Sequence, residues 1–391
     1  MREVLPAHDP AGAPRAASRA PDRPAVHPDG RGVGAPSRYG IDRDGLAGLL
    51  AELGEPPYRH RQVWDVLWRR RRPLAEGTDL PVPLRSELAE RLPLRLRALR
   101  EQVSADGCTR KWLWSADGAQ VETVLMVSPR RVTVCVSTQA GCALGCAFCA
   151  TGQAGFTRNL TAGEILEQVL RAQHVTARRV THVVCMGMGE PLANWEPTRR
   201  ALERLHADLG LSARHLTVST VGWVPGMRRL AASALPVNLA VSLHAPDDDL
   251  RDRLVPINRR WPLREVLDAA VACARTRGRR VTFEYTLIDH LNDAPGQARA
   301  LAELLRPLGP LGRHVNVIPL NPTAGFPHRA PDPARSAAFL TALRRAGLTA
   351  TLRRTRGADI DAACGQLRAR ELPGAAGPAR RRPVGKNAPD G

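Results

Sequence analysis

A chain of 391 residues has room for one large domain with appendages or for two modest ones, and it is too long to depend on disulfide staples. Hydrophobic residues at 43% and charged residues at 24% exclude a wholly disordered or fibrous chain, and no apolar run is long enough to cross a membrane as a helix. Lys and Arg total 57 against 38 Asp and Glu, a formal charge of +19 that favours a polyanionic partner, nucleic acid before a membrane surface; Lys111 and Lys386 are the only lysines, so drift toward arginine contributes as well.

Residues 1–38 are rich in Pro, Ala, Gly, Arg and Asp without apolar periodicity and read as a disordered basic arm. From 39 to 100 the pattern is helical, with Leu46, Leu49, Leu50 and Leu53 on one face and Val63, Trp64, Leu67 and Trp68 on another. The run Arg69 to Arg72 follows directly, which suits a small RNA-binding module, with Trp64 and Trp68 in its core. Residues 101–128 read as a short-strand adaptor, its strands Lys111 to Trp114 and Gln120 to Met126 joined at Asp117-Gly118.

Over 129–368 strands and helices alternate. Strands are expected at Val132 to Ser137, His182 to Met186, Leu216 to Ser219, Leu239 to Leu243, Val281 to Leu287, Val315 to Ile318 and Ala350 to Leu352. Helices are expected at Ala162 to His174, Pro197 to Leu209, Leu263 to Arg277 and Pro295 to Leu308. This rhythm predicts an α/β fold built on a parallel sheet or barrel. Polar residues gather where the strands end, at Gly189-Glu190, Ser219, Ser242 to His244, and Asn321. In βα barrels that edge is where a site is assembled from successive loops. Residues 369–391, with Arg380 to Arg382, read as a second disordered tail.

Eight cysteines without an N-terminal secretory pattern point to the cytosol, where they serve as metal, redox or core residues. Cys142, Cys146 and Cys149 stand at C-x3-C-x2-C just after a strand. Structural zinc takes four ligands, normally as two pairs, and no second pair is present. Three thiolates can hold a [4Fe–4S] cluster and leave one iron open to a substrate or cofactor.

This spacing, with Phe148 before the last cysteine, resembles the radical S-adenosylmethionine (SAM) superfamily. The flanks narrow the resemblance. Thr133 to Cys142, Gly187-Met188-Gly189-Glu190-Pro191, Ser242-Leu243-His244-Ala245-Pro246, Leu254-Val255-Pro256-Ile257-Asn258 and Asp359 to Leu367 are similar to the dual-specificity RNA adenine-C2 methyltransferase family RlmN, over about 40 to 368. The resemblance implies an incomplete (βα) TIM-like barrel of radical SAM type behind the helical N-terminal domain. It implies a [4Fe–4S] cluster on Cys142, Cys146 and Cys149, with SAM contacted by Gly189, Glu190, Ser219, Ser242, Leu243, His244 and Asn321 and consumed twice per turnover.

In that family a cysteine matching Cys364 is methylated by a first SAM, and a 5′-deoxyadenosyl radical from a second removes hydrogen from the S-methyl group. The carbon radical then attacks C2 of adenine. A cysteine matching Cys135 resolves the thioether adduct by forming a disulfide, and an acidic residue matching Glu122 accepts a proton. The implied partners are 23S rRNA at adenine 2503, tRNA at adenine 37 and an electron donor such as flavodoxin or ferredoxin, with the protein monomeric and cytoplasmic. The target base must leave its stack, which RNA loops permit most easily. Arg353, Arg354 and Arg356 are placed to hold RNA phosphate near Cys364. Two alternatives stay open at this stage: the related C8-adenine methyltransferase group, which shares the cysteines, and a non-catalytic iron–sulfur RNA-binding protein.

Overall fold

The computed structural model describes residues 36–312, 314–353 and 356–367. Most of the N-terminal arm, Arg354 and the C-terminal tail with Arg380 to Arg382 lie outside the described residues. The last residues assigned to the arm belong to the fold: Ser37 is buried, and Arg38 Nε donates to the Leu92 carbonyl at 3.2 Å.

Helix α1, Arg43–Glu52, is capped by the Asp42 carboxylate, which accepts from the Gly45 N–H at 2.8 Å. Helix α2, Tyr58–Trp64, runs on into a π-helical turn at Asp65–Arg69, and α3 spans Val82–Arg91. The expected apolar faces are buried, and Trp64 and Trp68 are core residues over which the Arg204 guanidinium lies, 5.2 and 4.3 Å from the ring centroids. The helical reading to 100 is corrected by strand β1, Leu96–Val103. It is a sheet-edge strand, largely exposed, so its apolar alternation is too weak to announce it.

Strands β2, Thr109–Ala116, and β3, Ala119–Ser128, form the expected hairpin. Asp117 and Gly118 turn it with φ of 43° and 79°, the two left-handed positions that a tight hairpin demands. Strand β4, Arg131–Cys135, pairs antiparallel with β3 on one side, and from its other side the sheet is parallel throughout. A separate ribbon of β5, Gln139–Gly141, and β6, Phe156–Asn159, frames the cysteine loop together with α4, Ala150–Ala154.

The remaining strands are β7, His182–Cys185; β8, Leu216–Thr220; β9, Asn238–Ser242; β10, Val281–Leu287; β11, His314–Pro319; and β12, Thr349–Leu352. Helices α5, Ala162–His174; α6, Trp195–Ala207; α7, Val224–Ala232; α8, Asp248–Leu254; α9, Leu263–Arg277; α10, Pro295–Leu305; and α11, Pro333–Arg345, lie between them. Helix α5 begins in a capping box, Thr161 and Glu164 satisfying each other's backbone donors. The ten-stranded order is β1-β2-β3-β4-β7-β8-β9-β10-β11-β12, and β12 is not paired back to β4. One set of alternate side chains, including Val134, Val183, Val218, Val241, Phe283 and Val317, is buried in the main core. The other set, from all seven parallel strands, lines a single cavity of about 1520 Å³, the interior of an incomplete barrel. No helix among the described residues is long and apolar enough to cross a membrane.

Candidate active site

The cysteine loop leaves β5 at Gly141, whose φ is 77° and where an added Cβ would lie 2.0 Å from the Gly155 carbonyl oxygen. Only glycine fits there, and the Cys142 N–H donates to that same oxygen at 2.7 Å. The loop is closed by Cys149 N–H to the Cys146 carbonyl, 3.1 Å, and anchored by Ala147 N–H to the Leu254 carbonyl, 3.0 Å. All three cysteines line the cavity. Burial, followed by the charge of Glu190, pushes the Cys142 thiol up to about 12, and burial with Cys149 and Cys142 drives Cys146 well above its ordinary value. Three soft sulfur donors gathered in one loop, with Cys142 and Cys146 held protonated by burial until a compensating cation arrives, fit an iron–sulfur cluster.

Beside the loop stand the strand-end groups. Gly189, at φ 95°, packs on Gln139 so closely that a Cβ would meet its Cβ at 2.4 Å. The buried Glu190 carboxylate accepts from Val221 N–H at 3.0 Å and Leu192 N–H at 3.1 Å, yet burial outweighs these bonds and raises it to about 7. His244 has φ 64°, and its Nδ1 accepts from the Thr286 N–H at 3.0 Å, leaving the ring proton on Nε2. Burial and then Arg251 hold it down to about 3, a neutral imidazole. Ser219, Ser242 and Asn321 line the same cavity, and Asn321 Nδ2 donates to the Cys364 carbonyl at 3.0 Å.

Leu243 stands between Ser242 and His244 at the end of β9. Its side chain is fully buried in the main core, and only its backbone faces the strand end, bonded to the Glu284 carbonyl and to Arg251 Nε. Arg251 is the residue that sequence reasoning missed. Fully buried, it donates to the carbonyls of Leu243, Ser242 and Val221 and to Asn258 Oδ1, at 2.5–3.2 Å, tying the ends of β8 and β9 together. In a chain so rich in arginine nothing distinguishes it beforehand.

Cys135 closes β4 and is buried; Cys364 is exposed in the loop after a 3-10 turn at Ala358–Ile360, and both line the cavity. Burial, reinforced by the charge of Cys364, raises the Cys135 thiol, and Arg353 carries its charge more firmly because of Cys364. The Cys364 loop is strapped on two sides. Ala105 N–H donates to the Asp359 carboxylate at 2.8 Å and Lys111 Nζ to the Asp361 carbonyl at 3.1 Å, while Ala150, beside Cys149, donates to the Gly365 carbonyl at 2.8 Å.

Glu122 is not part of the cavity wall. Buried on β3, it pairs with Lys111 at 3.0 Å, on the sheet face that register shares with Cys135. Arg353 and Arg356 line the cavity with Cys364; Arg353 also pairs with the buried Glu284 at 3.4 Å, and Arg356 Nη1 donates to the Val127 carbonyl at 3.3 Å. Of the run Arg69 to Arg72, three members are ion-paired within their own module, to Asp65, Asp79 and Glu76.

The Radical SAM superfamily profile matches residues 136–305. A probable dual-specificity RNA methyltransferase RlmN from Frankia alni is 51% identical over 381 residues, covering 90% of this chain and 90% of the relative. One from Salinispora tropica is 49% identical, covering 90% of this chain and 97% of the relative. The crystal structure of a radical SAM methyltransferase from Sphaerobacter thermophilus matches with a TM-score of 0.81 at 49% identity, over 86% of this chain and 100% of that one. The incomplete barrel, the three-cysteine loop and the facing Cys135 and Cys364 thus occur in a chain half-identical to these enzymes along nearly its whole length, and the cofactors are those of the superfamily, a [4Fe–4S] cluster and SAM. The chain belongs to the RlmN family of dual-specificity RNA methyltransferases.

Proposed function

We propose that this enzyme methylates C2 of adenine in 23S rRNA and tRNA, with Cys364 carrying the methyl group and Cys135 releasing the product. The observation that carries the reading is the meeting of Cys135, Cys364 and the three-cysteine loop in one cavity, with the Cys364 loop bonded to the residue after Cys149. Cys142, Cys146 and Cys149 would hold the cluster, which with SAM supplies one-electron reductive cleavage and a hydrogen-abstracting radical. Glu190, a buried carboxylate raised to about 7, would supply the counter-charge for the cationic amino group of SAM, whose approach would favour the ionised carboxylate. Ser219, Ser242, the neutral His244 and Asn321 supply hydrogen bonds around it, with Gly189 allowing close backbone approach.

Cys364 thiolate would take its methyl group from one SAM, with S-adenosylhomocysteine leaving. After hydrogen is removed from that methyl, its carbon bonds to adenine C2 and an electron and the C2 proton are lost. The Cys135 thiolate then attacks the Cys364 sulfur, the sulfur–carbon bond breaks and the freed carbon takes up a proton. That step forms the disulfide and frees the methylated base, so an external dithiol must reduce the pair before the next cycle. Glu122 pairs with Lys111 outside the cavity wall, on the sheet face shared with Cys135, so as acceptor of the C2 proton it acts through an intervening group and not by direct contact with the base. A cytoplasmic monomer fed by a flavodoxin- or ferredoxin-type donor suits these reduced thiols.

The test is anaerobic reconstitution with iron and sulfide, reduction with SAM and an rRNA fragment, and mass spectrometry of the digested nucleosides. Wild type is expected to form 2-methyladenosine and Cys364→Ala none. Formation of 8-methyladenosine would overturn the C2 assignment, and SAM cleavage without any methylated adenosine would overturn the substrate.

A further inference from the structure

The barrel cavity has a second end. Opposite the cysteines, its wall includes Arg131, Arg214, Arg279 and Arg280, together with the rings of His182 and His215, whose centroids lie 4.2 Å apart. Arg131 opens β4, Arg214 precedes β8, and Arg279 and Arg280 precede β10, so all stand at the amino ends of the parallel strands. Arg178 and Arg179 stand likewise before β7, held by the carbonyls of Ser128, Pro129, Leu209 and Gly210.

Among the described residues, none of these six arginines has a carboxylate within ion-pairing distance. Elsewhere arginines are regularly paired, as Arg199 is with Glu196 and Glu203 and Arg335 with Asp289 and Asp293. The loops that lead into the seven parallel strands contain a single acid, Asp208, which is already bridged to Arg43 and Arg204. The two histidines add no negative charge, and burial with His215 and Arg131 holds His182 down to about 4. An unpaired cationic rim repels itself, and a polyanion removes that cost.

The rim is continuous with the helical module. Arg71, the member of its basic run without an acidic partner, and Arg179 both donate to the Leu209 carbonyl, at 3.3 and 3.2 Å. A protein electron donor fits this end poorly, because strands of four to seven residues separate it from the cysteine loop by roughly 15–20 Å. Guanidinium forks match phosphate oxygens.

We propose that the amino-end rim of the barrel is a second RNA-contact surface, gripping phosphates of the same RNA whose adenine enters at the carboxyl end. The proposal rests on RNA being the substrate. The surface lies on the underside of the barrel and adjoins the helical segment where Arg71 and Arg179 share the Leu209 carbonyl.

The experiment compares the full-length wild type with Arg131→Gln/Arg214→Gln/Arg280→Gln and with a charge-matched control, Arg228→Gln/Arg264→Gln/Arg275→Gln, on the exposed faces of α7 and α9. Binding to an rRNA fragment is read by fluorescence anisotropy across a salt series, with thermal unfolding confirming that each variant folds. The rim variant is expected to bind at least tenfold more weakly, and its slope of log affinity against log salt to be shallower by about two, at about 0.7 for each phosphate no longer neutralised. The control is expected to bind within twofold of wild type. Equal losses in both variants would mean that net charge alone matters and would overturn the proposal. Unchanged binding by the rim variant would overturn it too, and turnover slowed only with a protein reductant, not with dithionite, would reassign the rim to the donor. Wild type forming no methyladenosine on the same fragment would instead refute the substrate reading.

Discussion

At Glu190 burial and hydrogen bonding oppose each other, and burial wins: the carboxyl is raised from 4.5 to about 7. A raised native value means that the folded chain holds a proton the unfolded chain has lost, so this group's stabilising contribution is complete below 4.5 and disappears as pH rises through 7. In SAM-free protein, urea unfolding of wild type and Glu190→Gln at a series of pH values should show the difference moving by about 3 kcal/mol in the variant's favour between pH 4.5 and 8. A difference independent of pH would mean that the carboxyl ionises normally. At this scale the three clustered cysteines were legible because few alternatives explain thiols at that spacing, whereas Glu190, Cys135 and Cys364 stood out only through the family resemblance, since a strand-end carboxylate or a lone cysteine has many ordinary explanations. Arg251 and Lys111 were not legible, since an arginine or lysine becomes a buried clamp only when distant carbonyls and carboxylates converge on it.

At the scale of elements, the cysteine loop depends on a contact with Gly155, thirteen residues beyond its first cysteine. Gly141→Ala forces a Cβ into the Gly155 carbonyl, whereas at Gly145, φ 64°, nothing lies within 4 Å of an added Cβ. Gly141→Ala is therefore expected to lose most of its iron on reconstitution, measured by metal analysis, while Gly145→Ala incurs only the left-handed strain of about 1–2 kcal/mol and retains iron. Iron retained equally by both would show that the Gly155 contact does not shape the loop. Helices α5 and α9 appear at the bounds their periodicity predicts, because each buries one face against the sheet. Strand β1 escaped notice for the opposite reason: as an edge strand it owes its conformation to pairing with β2, a partner that local sequence does not display.

One apolar core runs from Leu46 and Trp68 in the helical segment through Val134 and Val218 to Val315 in β11 and Leu348 just before β12. The ten-stranded sheet carries the antiparallel hairpin and the parallel barrel in one hydrogen-bonded ladder, and the hairpin in turn holds the Cys364 loop. Tryptophan fluorescence, reporting partly on Trp64, Trp68, Trp112 and Trp114, and far-ultraviolet circular dichroism should therefore unfold with coincident midpoints in urea; separated midpoints would show that the N-terminal part melts independently. The sequence by itself determined the class of fold, the clustered thiols and the strand ends that gather at the cavity, because periodicity and local spacing encode which residues lie near one another along a strand, helix or loop. Only the tertiary structure decided that the Leu243 side chain turns into the core, that Glu122 pairs with Lys111, and that the unpaired arginines share the amino-end rim. Those outcomes depend on which distant groups meet, and through-space charge and packing are not written in the spacing of neighbours.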